Sequence, residues 1–150
     1  PVTIGVCAVQ IQRQPEKREE VKQISIALID DEESVVKYLR KRLERRGYHV
    51  DGYTDPEEAL EDMVNGRIHW NAVIVDYMMP GIKGTALAQR MKKLQPYLCV
   101  IMITGLVDRE ALELRQDGQI DNILIKPVNF EELVAAIDKG YRRQLDMIEY

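Results

Sequence analysis

The sequence has few cysteines and no long apolar run. Its two cysteines, Cys7 and Cys99, lie outside any Cys-x-x-Cys pair, and two are too few for a disulfide framework, which favours a reducing compartment. No segment approaches the ~18–20 apolar residues that a membrane-spanning helix needs. The first residues lack the basic start and the apolar stretch of a signal peptide. We therefore expect a cytoplasmic location and no membrane contact by this domain.

An excess of positive charge is also absent. The net charge is -4, whereas surfaces that bind nucleic acid are usually basic. We therefore expect no nucleic-acid contact by this domain. Apolar residues make up 45% of the 150 positions, which is enough for one domain around a single core.

The composition changes near residue 23. Apolar residues alternate over positions 2–8, which could form a short strand, but a polar, charged segment with a proline follows at 12–20. Because such a segment buries little surface, we predict that residues 1–23 form a tail or linker, with an ordered extra strand as the alternative. The organised domain is predicted to span residues 24–150.

Within that domain, apolar runs alternate with amphipathic segments. Strands that alternate with helices predict a doubly wound α/β fold, with a parallel sheet and helices on both faces. The predicted strands cover residues 24–29, 48–53, 72–76, 98–104 and 122–125, and the predicted helices cover 34–46, 55–65, 85–94, 108–116 and the segment from 129 onward.

Every predicted strand except the second ends in a residue suited to metal or phosphate chemistry. Asp30 and Asp31 follow the first strand, and Asp76 ends the third. Thr104 ends the fourth, and Lys126 follows the fifth. Because the carboxyl ends of parallel strands meet at one edge of the sheet, we expect these side chains to share a site.

Three clustered carboxylates would repel one another and would require a cation. Oxygen ligands without histidine or thiolate suit Mg²⁺, Mn²⁺ or Ca²⁺ rather than zinc, and a site with room for water and phosphate oxygens favours Mg²⁺. Asp76 emerges from an apolar strand, where its carboxylate could attack phosphorus and form an acyl phosphate. Lys126 and Thr104 could then neutralise and hydrogen-bond the phosphoryl oxygens.

Four motifs together resemble the receiver domains of bacterial two-component systems over about residues 24–145. The resemblance implies a flavodoxin-like, five-stranded parallel sheet with the strand order 2-1-3-4-5. The motifs are Ile29-Asp30-Asp31-Glu32, then Asp76-Tyr77-Met78-Met79-Pro80-Gly81-Ile82-Lys83-Gly84, then Thr104-Gly105 and Lys126-Pro127.

The resemblance also implies the role of each acidic residue. Asp76 would be the phosphoacceptor. Mg²⁺ would be held by Asp31, by Asp76 and by the backbone carbonyl of Met78, with Asp30 acting through a water molecule. The phosphoryl donor would be a phosphohistidine on a sensor histidine kinase or on a histidine phosphotransfer protein.

Further implications concern the other strand ends. Thr104 and Lys126 would hold the phosphoryl oxygens, and the peptide bond from Lys126 to Pro127 would be cis, a form that is common only before proline. The domain would signal by a conformational change and would not be an enzyme in its own right. Receiver domains often carry Tyr or Phe three residues before this lysine, where this sequence has Ile123, so the aromatic part of the usual switch is absent at this position and we expect the signalling surface to change by another route.

Alternative readings concern the parent protein and the reaction. The chain begins at Pro1 rather than Met, which predicts a fragment or a processed product. It could therefore come from a response regulator or from the C-terminal receiver domain of a hybrid sensor histidine kinase. A more distant alternative is a Mg²⁺-dependent phosphatase with an aspartate nucleophile, but such an enzyme typically has a second acid where this chain has Met78.

Overall fold

A computed structural model describes residues 23–66, 68–105 and 108–148. Residues 1–22, which include nearly all of the predicted tail and the possible extra strand, lie outside the described residues. The strands are β1 (Ser25–Ile29), β2 (His49–Tyr53), β3 (Ala72–Asp76), β4 (Cys99–Thr104) and β5 (Asn122–Ile125). The helices are α1 (Glu33–Arg45), α2 (Pro56–Val64), α3 (Gly84–Leu94), α4 (Arg109–Gln116) and α5 (Phe130–Ile148).

The five strands form one parallel sheet in the order β2-β1-β3-β4-β5. This confirms the predicted doubly wound α/β fold and its strand order. The chain leaves β1 toward β2 and then returns across β1 to β3. The strand order therefore reverses between β1 and β3, which is where open parallel sheets generally place their ligand sites.

Local signals explain why the predicted helix boundaries agree closely with the structure. The side chain of Asp55 accepts a hydrogen bond from the backbone N–H of Glu57, and Pro56 occupies the first turn of α2. Asp108 and Asn129 cap α4 and α5 in the same way. Each cap satisfies a backbone donor that the first helical turn leaves without a partner.

Apolar side chains cover both faces of the sheet, because successive side chains on a strand point to opposite sides. Ile26 and Leu28 of β1 face the cluster that contains the buried sides of α1 and α5. Ala27 and Ile29 face the cluster beneath α2, α3 and α4. The central strands are thus fixed by packing on both sides, and their carboxyl ends are fixed with them.

No helix among the described residues is both long and apolar enough to cross a bilayer. The longest helix, α5, has 19 residues. It buries Leu133 and Ile137 against the sheet and exposes charged residues such as Lys139 on its outer side.

The contact between α5 and β4 yields a test of the packing. Gly140 lies directly against the buried Cys99, and a Cβ at Gly140 would overlap the Cys99 Sγ atom. Gly140→Ala should therefore destabilise the domain by about 1–3 kcal/mol, the usual cost of overpacking, although alanine favours a helix by up to about 1 kcal/mol over glycine. Urea denaturation measures this change.

The control is a second substitution that makes room for the new methyl group. Adding Cys99→Ala to Gly140→Ala removes the overlapping sulfur, so the double variant should recover most of the lost free energy of unfolding. Equal instability of the single and double variants would show that the overlap is not the cause.

Candidate functional site

Three carboxylates meet at the carboxyl end of the sheet. Carboxylate oxygens of Asp30, Asp31 and Asp76 all lie within 4.8 Å of one another. Asp30 and Asp76 are 3% and 5% exposed, whereas Asp31 is exposed. The parallel pairing of β1 with β3 brings these positions together, as the ends of the predicted strands led us to expect.

The turn from β1 into α1 positions Asp30. Its backbone N–H donates to the carbonyl of Tyr53 at 3.1 Å, and its carboxylate accepts from the backbone N–H of Glu32 at 2.9 Å. Burial raises the pKa of the Asp30 carboxyl, and the negative charges of Asp76 and Asp31 raise it further against the opposing effect of the Glu32 N–H. The site therefore holds its negative charge at a cost to stability.

Asp76 is held by two hydrogen bonds through different oxygens. Oδ2 accepts from the Lys126 Nζ at 3.2 Å, and Oδ1 accepts from the backbone N–H of Met78 at 3.3 Å. Partial burial lowers the pKa of Lys126, but the hydrogen bond and charge of Asp76 outweigh it, so the net pKa is raised. Lys126 therefore faces Asp76 as an ammonium group.

Thr104 and Lys126 occupy neighbouring strand ends. Thr104 is 1% exposed and ends β4, between β3 and β5. Its carbonyl accepts a hydrogen bond from the backbone N–H of Lys126 at 2.9 Å. The peptide bond from Lys126 to Pro127 is cis, as the resemblance implied.

The loop from β3 to α3 begins at Met78 and closes tightly. The backbone N–H of Gly84 donates to the carbonyl of Tyr77 at 3.0 Å. A Cβ at Gly84 would overlap the carbonyl oxygen of Asp76, so this position requires glycine. The side chain of Met78 is 68% exposed, and its backbone stays beside the carboxylates through the N–H bond to Asp76.

Tyr77 is a buried polar side chain that the sequence analysis did not identify as functional. Its hydroxyl donates to the carboxylate of Asp108, and Glu110 Oε2 lies at 3.3 Å from the same hydroxyl. The partners are 31 and 33 positions away along the chain, so no local spacing could reveal the contact. The one feature of the sequence that could have pointed to Tyr77 is that an aromatic residue directly follows Asp76.

A cleft of about 500 Å³ opens beside the carboxylates. Asp30 and Lys126 form its polar side, and α1 contributes Val35 and Tyr38. Pro127 and the residue that follows it also line the cleft. The cleft therefore reaches two of the site residues, Asp30 and Lys126.

The donor set fits a hard divalent cation. It contains carboxylate oxygens and, close by, the backbone of Met78, without histidine or cysteine among the three clustered residues. Three carboxylates face one ammonium, so the described site carries uncompensated negative charge. Mg²⁺ matches both the oxygen ligands and the charge.

Comparison with known proteins identifies the family. The family model described as "Response regulator receiver domain" matches residues 26–138. The chain belongs to this family. It is therefore a response regulator receiver domain, a signalling module of two-component systems.

Two curated relatives cover most of this receiver domain. A probable transcriptional regulator, ycf27, of Porphyridium aerugineum is 36% identical over 118 residues, which are 79% of this chain and 48% of that protein. The response regulator RppA of Synechocystis sp. is 31% identical over 118 residues, 79% of this chain and 50% of that protein. The chain thus spans about half the length of these relatives.

Solved structures show the same receiver fold. A response regulator receiver domain from Clostridium thermocellum has a TM-score of 0.76 and 27% identity, covering 83% of this chain and 98% of that one. A CheY-like receiver domain from Methanospirillum hungatei has a TM-score of 0.77 and 26% identity, with 83% and 98% covered.

The electrostatic cost at Asp30 yields a prediction. Because its pKa is raised in the fold, stability should be lost as pH rises through that pKa. Asp30→Asn removes the charge and keeps an oxygen that can accept from the Glu32 N–H. Without divalent cations at pH 7, the variant should therefore unfold at a higher temperature than the wild type.

The same experiment contains its own control. Below about pH 4, the ordinary pKa of an aspartate, both proteins carry a neutral side chain at position 30, and the difference in melting temperature should shrink. A wild type that is the more stable protein at pH 7 would contradict this account.

Proposed function

We propose that this receiver domain accepts a phosphoryl group on Asp76, with Mg²⁺, from the phosphohistidine of a sensor histidine kinase or a histidine phosphotransfer protein. The observation that carries the proposal is the environment of Asp76. Its buried carboxylate lies within 4.8 Å of carboxylate oxygens of Asp30 and Asp31 and 3.2 Å from the Lys126 ammonium. This combination provides a nucleophile, a cation site and a countercharge in one place.

In the proposed reaction a carboxylate oxygen of Asp76 forms a bond to phosphorus while the phosphorus–nitrogen bond of the donor histidine breaks. The electron pair leaves with the imidazole nitrogen, which takes up a proton. Asp76 thereby loses the charge that pairs with Lys126, and the ammonium can turn to a phosphoryl oxygen. The Thr104 hydroxyl, at the adjacent strand end, would donate to another phosphoryl oxygen.

We assign the Mg²⁺ ligands to Asp31, Asp76 and the backbone carbonyl of Met78, with Asp30 acting through water. The ion would offset the carboxylate repulsion and the negative charge of the phosphoryl oxygens. Asp30 is the most buried of the three acids, and its carboxylate already accepts from the Glu32 N–H. These features favour an indirect role for Asp30 and leave the exposed Asp31 open to the ion.

The cleft beside Asp30 and Lys126 supports a macromolecular donor. Its wall along α1 is largely apolar, with Val35, Tyr38 and Leu39, and could receive side chains that flank a phosphohistidine. The two curated relatives described above are named as regulators. This favours a response regulator over a hybrid sensor kinase as the parent protein.

The direct test is phosphorylation by acetyl phosphate, followed by intact-protein mass spectrometry. With Mg²⁺ the wild type should gain one phosphoryl group, because Asp76 is a carboxylate nucleophile within a cation site. Asp76→Asn should abolish the gain, and omission of Mg²⁺ should slow it by about tenfold or more, since charge neutralisation contributes much of such catalysis.

Asp117→Asn is the matched control, because it removes an exposed carboxylate at the far end of α4. It should be labelled like the wild type. Full labelling of Asp76→Asn would show that the acceptor lies elsewhere.

A further inference from the structure

The residue that follows the proposed phosphoacceptor is tied to the first turn of α4. The Tyr77 side chain is 6% exposed, and its hydroxyl donates to Asp108. Asp108 is the N-cap of α4, and its Oδ1 accepts from the backbone N–H of Ala111 at 3.0 Å. The Asp108 carboxylate thus caps the helix through one oxygen and accepts the hydrogen bond from Tyr77 through the other.

Two more side chains join the same turn to the β3–α3 segment. The Thr85 hydroxyl lies 3.3 Å from Glu110 Oε1 in a hydrogen bond, and the Lys83 Nζ lies 3.8 Å from Glu110 Oε2. We call this set of contacts the α4 clamp; its members are Tyr77, Lys83, Thr85, Asp108 and Glu110. The Lys83–Glu110 pair is exposed and therefore weak, so the partly buried Tyr77–Asp108 bond is the main connection.

The clamp begins where phosphorylation would act. Tyr77 stands between Asp76, which would carry the phosphoryl group, and Met78, whose N–H donates to the Asp76 carboxylate at 3.3 Å. An acyl phosphate changes both the charge and the shape of that acceptor. The resulting shift of the backbone would be passed to the Tyr77 ring and its hydroxyl.

At its other end the clamp holds a short helix. α4 has eight residues and buries only Ala111 and Leu114, so a hydrogen bond to its first turn adds to a small apolar contact. Ile123 packs, partly buried, against the same apolar cluster as Tyr77. Because a β-branched side chain is stiff at χ1, Ile123 is poorly suited to switch between two positions. Tyr77, in contrast, contacts α4 directly.

We propose that the Tyr77–Asp108 hydrogen bond holds the first turn of α4 in place in the unphosphorylated domain, and that phosphorylation of Asp76 weakens this bond and releases α4. The proposal rests on the proposed function of Asp76. It makes Tyr77 a positioning residue that couples the site to a helix surface. By linkage, whatever breaks the clamp should favour the phosphorylated state.

Hydrogen–deuterium exchange of the 150-residue protein, with and without Mg²⁺ and beryllofluoride as a phosphoryl mimic, tests the clamp. In the wild type, amides of α4 should exchange faster when the mimic binds. In Tyr77→Phe, which loses the hydroxyl and keeps the ring, they should exchange fast in both conditions. The variant should also bind beryllofluoride about three- to tenfold more tightly, since the lost bond no longer opposes the bound state.

Two further variants make the result specific. Asp108→Ser keeps an N-cap residue but is too short to hold both Ala111 and Tyr77, and it should behave like Tyr77→Phe without adding to it in the double variant. Tyr48→Phe is the matched control, because it loses a 2.7 Å bond from a tyrosine to Asp138 within the α1–α5 side of the fold. It should respond to beryllofluoride like the wild type.

The outcomes separate the two proposals. If Tyr77→Phe keeps the wild-type affinity and the wild-type change in α4 exchange, the clamp is wrong and the role of Asp76 stands. If the wild type binds no beryllofluoride, the proposed function fails and the clamp fails with it. A response lost equally in Tyr48→Phe would also overturn the clamp, since any tyrosine–carboxylate bond would then serve.

Discussion

Repulsion among three carboxylates is the constraint on which this site depends. Parallel pairing of β1 with β3 holds oxygens of Asp30, Asp31 and Asp76 within 4.8 Å of one another. The arrangement has a cost, since burial first, and then the negative charges of Asp76 and Asp31, raise the pKa of the Asp30 carboxyl. The packing of the apolar clusters on both faces of the sheet offsets this loss of stability, because it fixes the strand ends regardless of their charge. Under the proposed function, this arrangement provides a site for a cation and for a phosphoryl group.

Most of the fold could be predicted because its signals are local. The strands are apolar runs, and Asp55, Asp108 and Asn129 mark helix starts within a few residues. The grouping of Asp30, Asp76 and Lys126 also followed from one topological rule about the ends of parallel strands. These features can be predicted without knowing which side chains are in contact in the fold.

The unpredicted features all depend on contacts between distant positions. From the sequence alone, Tyr77 cannot be told apart from a residue that only packs in its loop. Its role becomes visible only in the fold, which places Asp108 beside its hydroxyl. Glycine generally weakens a helix, but position 140 of α5 requires it because a Cβ there would overlap the Cys99 Sγ atom. Such pairings depend on how α4 and α5 dock, and periodicity along the chain does not contain that information.

The domain combines a fully buried central sheet with a short helix next to the site. β1, β3 and β4 are buried on both faces and set the geometry of the site, whereas α4 has eight residues, buries Ala111 and Leu114, and makes polar contacts to the β3–α3 segment through its first turn. Local stability generally follows such differences in burial. The carboxylate cluster and the polar contacts to α4 meet at Asp76 and Tyr77, which are joined by one peptide bond.

The most direct test of the central claim, that the carboxylate cluster serves a divalent cation, is the melting temperature as a function of Mg²⁺ concentration at constant ionic strength. Binding to the folded state alone should raise the melting temperature steadily with the logarithm of Mg²⁺ concentration above the dissociation constant. Asp31→Asn should flatten this dependence. A melting temperature that is the same in Mg²⁺ and in potassium chloride of matched ionic strength would contradict the account.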